Sequence, residues 1–244
     1  MARHLFIVGA QRSATTYLYQ ALAGHPQIEM NTPPNPEPKF FMHEGSENRV
    51  EEYLAKYFGR KQDALIRGEK STSYIESRPS AERIAKVFPD ALIVINMRNP
   101  VKRAVSNYWF TKSKGLEDQE IEVLMDERAQ ERDFGQISVS PFTYLQRGKY
   151  VEYVQMWADV FPRSQIRLIV QEQFVRNPDA ISELFGWLGV DPSFIPETLG
   201  ETINSAVYGA KSVPAQVQQF LQQYYEKPNK QLQSAFGVNV EAWS

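Results

Sequence analysis

Two short stretches carry residue types suited to gripping anions. Gly9-Ala10-Gln11-Arg12-Ser13-Ala14-Thr15-Thr16 follows an apolar run, Leu5–Val8, and precedes Tyr17, Leu18, Ala21 and Leu22 at helical spacing. Strand, small-residue loop and helix in that order point backbone N–H groups at an anion. Arg12 adds a cation, and the hydroxyls of Ser13, Thr15 and Thr16 add donors. The same pattern also suits a plain turn whose Ser and Thr cap the helix. The second stretch, Arg98-Asn99-Pro100-Val101-Lys102-Arg103-Ala104-Val105-Ser106-Asn107-Tyr108, places an arginine at a strand's end and a serine eight residues on. Ser106 falls about two turns into the following helix, within reach of the phosphate that Arg98 would fork. A nucleotide with phosphates at both ends of its ribose requires two such sites on neighbouring strand ends.

Strands and helices must alternate to position these loops. Leu65–Lys70, Ala91–Met97 and Ile166–Val170 read as strands beside Leu5–Val8. Helices are expected over Pro79–Phe88, Val101–Thr111, Tyr150–Phe161 and Pro178–Leu188, with a helical tail after the loop Asn204–Val213. Gly115–Gln136 reads as a charged surface helix, and the proline-rich Asn31–Pro38 as a shaped loop. That alternation predicts one α/β domain over residues 1–244, a three-layer α/β/α fold with a central parallel sheet, P-loop nucleotide-binding-like. Ligands of such sheets sit beyond the carboxyl ends of the strands, where Gly9–Thr16 and Arg98 fall.

Composition narrows the function. Hydrophobic residues make up 42% and charged residues 23%, and the formal net charge is −2, so no protein-wide basic surface for nucleic acid exists. There is no cysteine, which excludes thiolate chemistry and disulfides. No apolar run approaches the about 18 residues of a membrane span, and the segment before the first strand is short for a signal peptide. The expectation is a cytoplasmic protein. His4, His25 and His43 are scattered without paired spacing, so no metal site is expected.

Gly9–Leu18 (GAQRSATTYL) resembles the 5′-phosphosulfate loop of sulfotransferases that use 3′-phosphoadenosine-5′-phosphosulfate (PAPS). Arg98–Tyr108 resembles their 3′-phosphate motif, the more specific of the two matches. Glu37–Phe41, Glu69–Tyr74 and Tyr150 through Trp157 to Pro162 are similar to the heparan-sulfate type and its bacterial relatives. The matches run in order from residue 5 to about residue 190, and more loosely through Lys211.

The resemblance implies a PAPS-dependent sulfotransferase that releases 3′,5′-adenosine bisphosphate. Cofactor binding is expected from Arg12, Ser13, Ala14, Thr15, Thr16, Arg98 and Ser106, with Tyr208 and Lys211 in a late loop closing over it. The family generally has lysine where this chain has Arg12, and glycine where it has Ala14. Arg12 is therefore read as an electrostatic stabiliser, since a guanidinium gives up no proton. The resemblance makes Glu37 the base, with Lys70 near the reacting centre; His43 is the alternative base. The acceptor is a hydroxyl or an amine of a carbohydrate, lipid or small alcohol, and the resemblance ranks sugars first. A magnesium-dependent P-loop kinase is the competing enzyme reading, although Gln11–Thr16 lacks GxxxxGK[ST] and no Asp ends Ala91–Met97. A catalytically inactive nucleotide-binding relative is the other alternative.

Overall fold

Successive apolar side chains on a strand point to opposite faces, so a strand apolar at every position must be covered on both sides. The computed structural model, which describes residues 2–134, 139–200 and 212–243, solves that requirement with three layers. Strands β1 (Arg3–Gly9), β2 (Ile28–Met30), β3 (Ile66–Lys70), β4 (Leu92–Met97) and β5 (Ile166–Val170) form one sheet in the order β2-β3-β1-β4-β5. Every pairing is parallel, with Leu5 opposite both Gly68 and Leu92.

One face is covered by α1 (Thr15–Gly24) and, later in the chain, Pro178–Leu188, which bury Leu5, Ile7, Leu92 and Val94. On the other face α2 (Val50–Tyr57), α3 (Arg78–Val87) and the helix Tyr150–Ala158 bury Phe6, Val8, Ile93 and Ile95 around the fully buried Trp157. Each such side chain contributes about 1.5–3 kcal/mol by leaving water. Helix α4 (Pro100–Ser113) starts one residue earlier than the sequence indicates. The Asn99 side chain accepts from Lys102 N at 3.1 Å, and Pro100 needs no N–H at a helix start. Three more helices follow in order: α5 (Tyr150–Ala158), α6 (Gln171–Phe174) and α7 (Pro178–Leu188), before the long α8 (Ala215–Phe236).

One sequence expectation is corrected, and two elements lay outside it. Gly115–Gln136 is not a surface helix: among the described residues it forms two short 3-10 turns, Ile121–Met125 and Arg128–Gln130. Ile121, Val123 and Leu124 are buried in a third cluster with Val217 and Leu221 of α8, while most of the segment's other described residues stay exposed. Strand β2 and helix α2 were not anticipated. β2 has three residues, too few for a periodic signal. Helix α2 carried one, since Val50, Tyr53, Leu54 and Tyr57 stand at i, i+3, i+4 and i+7. Among the described residues no helix is long and apolar enough to cross a membrane.

Candidate active site

A cavity of 720 Å³ opens at the carboxyl ends of the strands. The loop after β1 gives Gln11–Thr16, the end of β3 gives Lys70, and Arg98 follows β4. Gln171, Val175 and Arg176 come from the segment after β5.

The first loop is held from below by Asn96, the one polar residue of β4. Asn96 Nδ2 donates to Ser13 O at 2.5 Å, and Asn96 O accepts from Ala10 N at 2.7 Å. Gly9 has no room for a side chain: a Cβ there would lie 2.7 Å from Ile75 Cβ. Arg12 and Ala14 both take left-handed backbone angles, with φ of 68° and 54°. This conformation turns the chain sharply into α1.

The two anion motifs touch. Arg12 Nε donates to Ser106 Oγ at 3.2 Å, and its guanidinium lies 4.7 Å from the centre of the Phe110 ring. Arg98 Nη1 donates to Arg12 O at 3.3 Å. Burial lowers the pKa of the Arg98 guanidinium, while Glu172 and Tyr150 oppose that shift. Tyr150 steadies the same turn by donating to Arg98 O at 3.0 Å.

Across the cavity, the proline-rich loop presents Glu37. Asn31 braces that loop: its Nδ2 donates to Pro33 O at 2.9 Å and its Oδ1 accepts from Lys70 N at 3.0 Å. Glu37 Oε1 accepts from Lys70 Nζ at 2.8 Å, and Oε2 accepts from Thr72 N at 2.9 Å and from Thr72 Oγ1 at 3.0 Å. The paired side chains are only 5% and 15% exposed, so water screens this contact weakly.

The structure thus brings together Arg12, Ser13, Ala14, Thr15, Thr16, Glu37, Lys70, Arg98 and Ser106. It does not bring His43 with them. That histidine is exposed after the short turn Phe40–Met42 and does not line this cavity. Tyr208 and Lys211 lie outside the described residues. His25 closes α1: Nδ1 accepts from Gln27 N at 3.1 Å and Nε2 lies 3.0 Å from Asp191 O. His4 is stacked on Phe88 at 3.7 Å, and burial with nearby Arg67 lowers its pKa to about 4.

Sequence reasoning missed Thr72, Lys39, Phe110 and Arg176 in the wall. Phe110 was findable, because it stands four residues after Ser106 on the same helix face. Thr72 was quoted within a motif without a role, and Arg176 left no sequence signal. Among the described residues, the cavity wall carries five cationic side chains, Arg12, Lys39, Lys70, Arg98 and Arg176, against the single carboxylate of Glu37. A chain of net charge −2 has therefore concentrated positive charge where the motifs meet.

A family model described as a sulfotransferase domain matches residues 2–219. The bifunctional heparan sulfate N-deacetylase/N-sulfotransferase 1 of Caenorhabditis briggsae is 27% identical over 212 residues, covering 80% of this chain and 23% of that protein. The human heparan sulfate glucosamine 3-O-sulfotransferase 3B1 is 29% identical over 175 residues, covering 70% of this chain and 42% of that protein. The chain therefore spans less than half the length of these curated relatives. A crystal structure of a sulfotransferase from Alicyclobacillus acidocaldarius superposes with a TM-score of 0.81 at 26% identity, covering 100% of this chain and 99% of that one. The sulfotransferase domain from the curacin biosynthetic pathway shares the fold, with a TM-score of 0.55 at 16% identity, covering 98% and 99%. None of these matches favours the kinase reading.

Proposed function

This chain belongs to the sulfotransferase domain family, and from that premise we propose that it moves a sulfuryl group from PAPS to a sugar hydroxyl or amine, with Glu37 as base. One observation carries the reading. The paired arginine motifs and the Glu37–Lys70–Thr72 cluster face each other across one cation-rich cavity. The donor supplies the sulfuryl group and departs as 3′,5′-adenosine bisphosphate.

The protein's own residues divide the work. Backbone N–H groups of the first loop and the hydroxyls of Thr15 and Thr16 receive the 5′ end, where Arg12 offsets charge on the departing oxygen. Arg98 and Ser106 hold the 3′-phosphate through a guanidinium fork and a hydroxyl. A carboxylate offers about four lone-pair directions. Lys70 Nζ, Thr72 N and Thr72 Oγ1 occupy three of them on Glu37, leaving one for the acceptor's O–H or N–H. As the acceptor atom bonds to sulfur and the bond from sulfur to the 5′-phosphate oxygen breaks, the acceptor's proton passes to Glu37. Lys70 has two further ammonium donors beyond the one given to Glu37, placed to meet oxygens of the group in transit. Catalysis is then positioning plus fixed charge, as in phosphoryl transfer. The heparan sulfate relatives named above support a carbohydrate acceptor.

Calorimetric titration in metal-free buffer with 3′,5′-adenosine bisphosphate, beside 5′-AMP and ATP with magnesium, tests this reading. Tight binding of the bisphosphate alone is expected, followed by PAPS consumption with a sugar, lipid or small-alcohol acceptor. Preference for ATP with magnesium would overturn it.

A further inference from the structure

Behind Glu37 lies a second carboxylate that the proposed reaction does not use. Glu69 is fully buried in β3, with its Cα paired to Phe6 of β1. Burial pushes its pKa up to about 7, against the pull of the Ser71, Tyr74 and Tyr53 hydroxyls, while Glu37 adds to the rise. A buried carboxylate costs stability unless its oxygens are hydrogen-bonded.

Its hydrogen bonds indicate the purpose. A serine hydroxyl has a single proton. Ser71 donates it to Glu69 Oε1 at 2.6 Å, so the lone pairs of Ser71 Oγ are left for Lys39 N–H, which donates to it at 2.8 Å. One step on, Tyr74, which also interacts with Glu69, accepts from Phe41 N at 2.9 Å. Lys39 and Phe41 follow Glu37 by two and four residues. Lys39 has φ of 48°, a left-handed conformation disfavoured for any residue with a Cβ, so the turn must be held from outside. Meanwhile Lys70 and Thr72, the neighbours of Ser71, grip the Glu37 carboxylate itself.

We propose that Glu69 is a positioning residue for the base: by accepting the Ser71 proton it orients Ser71 to hold the backbone at Lys39, and so aims Glu37. This rests on the reading of Glu37 as base. Two rivals make different demands. A residue that merely fills space would be replaced without loss by leucine, which suits an apolar core better. A residue needed for its charge would not tolerate glutamine. The acceptor role requires only an oxygen at Oε1, which glutamine keeps and leucine lacks.

The experiment compares wild type with Glu69→Gln, Glu69→Leu, Ser71→Ala and the Glu69→Leu/Ser71→Ala pair. Three quantities are read: kcat with PAPS, the Kd of 3′,5′-adenosine bisphosphate, and hydrogen exchange of the peptide bearing the Lys39 and Phe41 amides. Glu69→Gln should stay within about threefold of wild type. Glu69→Leu and Ser71→Ala should each lower kcat by about tenfold or more, because small misplacements of a reacting group are costly. The bisphosphate Kd should hold within about twofold, and the double variant should be no worse than either single one. Exchange at Lys39 should quicken in Glu69→Leu and not in Glu69→Gln. Wild-type kcat and exchange in Glu69→Leu would overturn the proposal, as would Glu69→Gln as impaired as Glu69→Leu. Should Glu69→Leu not fold, unchanged kcat in Ser71→Ala overturns it. A wild type that never consumes PAPS would sink the sulfotransfer reading instead, and the exchange comparison would still decide the role of Glu69.

Discussion

Arg12 and Ser106, 94 residues apart in the chain, meet through a 3.2 Å hydrogen bond from Nε to Oγ. The contact exists because β1 and β4 are neighbours, which sets the loop after one strand beside the helix after the other. The cation of the first motif thereby reaches the hydroxyl of the second, and Arg98 returns the contact through the Arg12 carbonyl. The two phosphate motifs form one unit before any ligand arrives. Much of the ordering that binding would otherwise require is already complete.

That unit should read the 3′-phosphate chiefly through Arg98. Arg98→Ala should weaken 3′,5′-adenosine bisphosphate by roughly 10- to 100-fold, the worth of a charge-assisted hydrogen bond. Binding of 5′-AMP should change by less than about twofold. Calorimetry of both nucleotides checks this, and equal losses would remove Arg98 from that role.

Arg12 belongs to both motifs, so its loss should show in both kcat and binding. Arg12→Ala should lower kcat by about 10²-fold or more, as removal of a preorganised donor does. It should also weaken the bisphosphate, because Ser106 loses the neighbour that orients it. Steady-state kinetics beside calorimetry separates the two effects; a change in Kd alone would deny Arg12 a part in the chemical step.

Glu37→Gln keeps the hydrogen bonds from Thr72 N and Thr72 Oγ1 but removes the proton acceptor. Turnover should drop by about 10²- to 10⁴-fold with bisphosphate affinity nearly unchanged. Turnover within a few-fold of wild type would pass the role to His43 or to solvent.

The strands were legible because the Leu5–Val8 run of β1 and nearly all of β4 are apolar, a pattern that little besides a doubly covered sheet explains. The arginine and glutamate positions were legible as types in motifs. What could not be read was contact between distant segments. Nothing in the sequence says that Arg12 reaches Ser106, that Thr72 clamps Glu37, or that Glu69 lies behind both. Gly115–Gln136 failed for another reason. Its charges suggested a solvated helix, while three of its apolar residues, Ile121, Val123 and Leu124, are buried against α8. Local composition outvoted a tertiary contact that sequence does not display.

Ala14 gives a stability test of the first loop. Its φ of 54° and ψ of 28° cost an L residue about 1–2 kcal/mol, while glycine gives back about 0.5–1 kcal/mol in unfolded-chain entropy. Ala14→Gly should therefore stabilise the protein by up to about 1 kcal/mol, a rise in Tm of about 2–4 °C for a chain of this size. Calorimetric melting decides it, and a lowered Tm would show that the loop does not strain Ala14.

Glu69 should leave a signature in the pH dependence of stability. Its folded pKa is raised by burial to about 7, above the ordinary 4.5. The folded state therefore binds its proton more tightly than the unfolded chain does. The associated stability is fully present below about pH 4.5 and is lost as pH rises through about 7. The interval corresponds to about 3 kcal/mol. Glu69→Gln cannot titrate, so the variant should gain on wild type by about that amount between pH 4.5 and pH 8, whatever other groups do in both proteins. Urea unfolding of the pair at the two pH values measures the difference directly. A gap that does not change with pH would mean that Glu69 meets water in the folded protein, and its hold on Ser71 would then be too weak to aim Glu37.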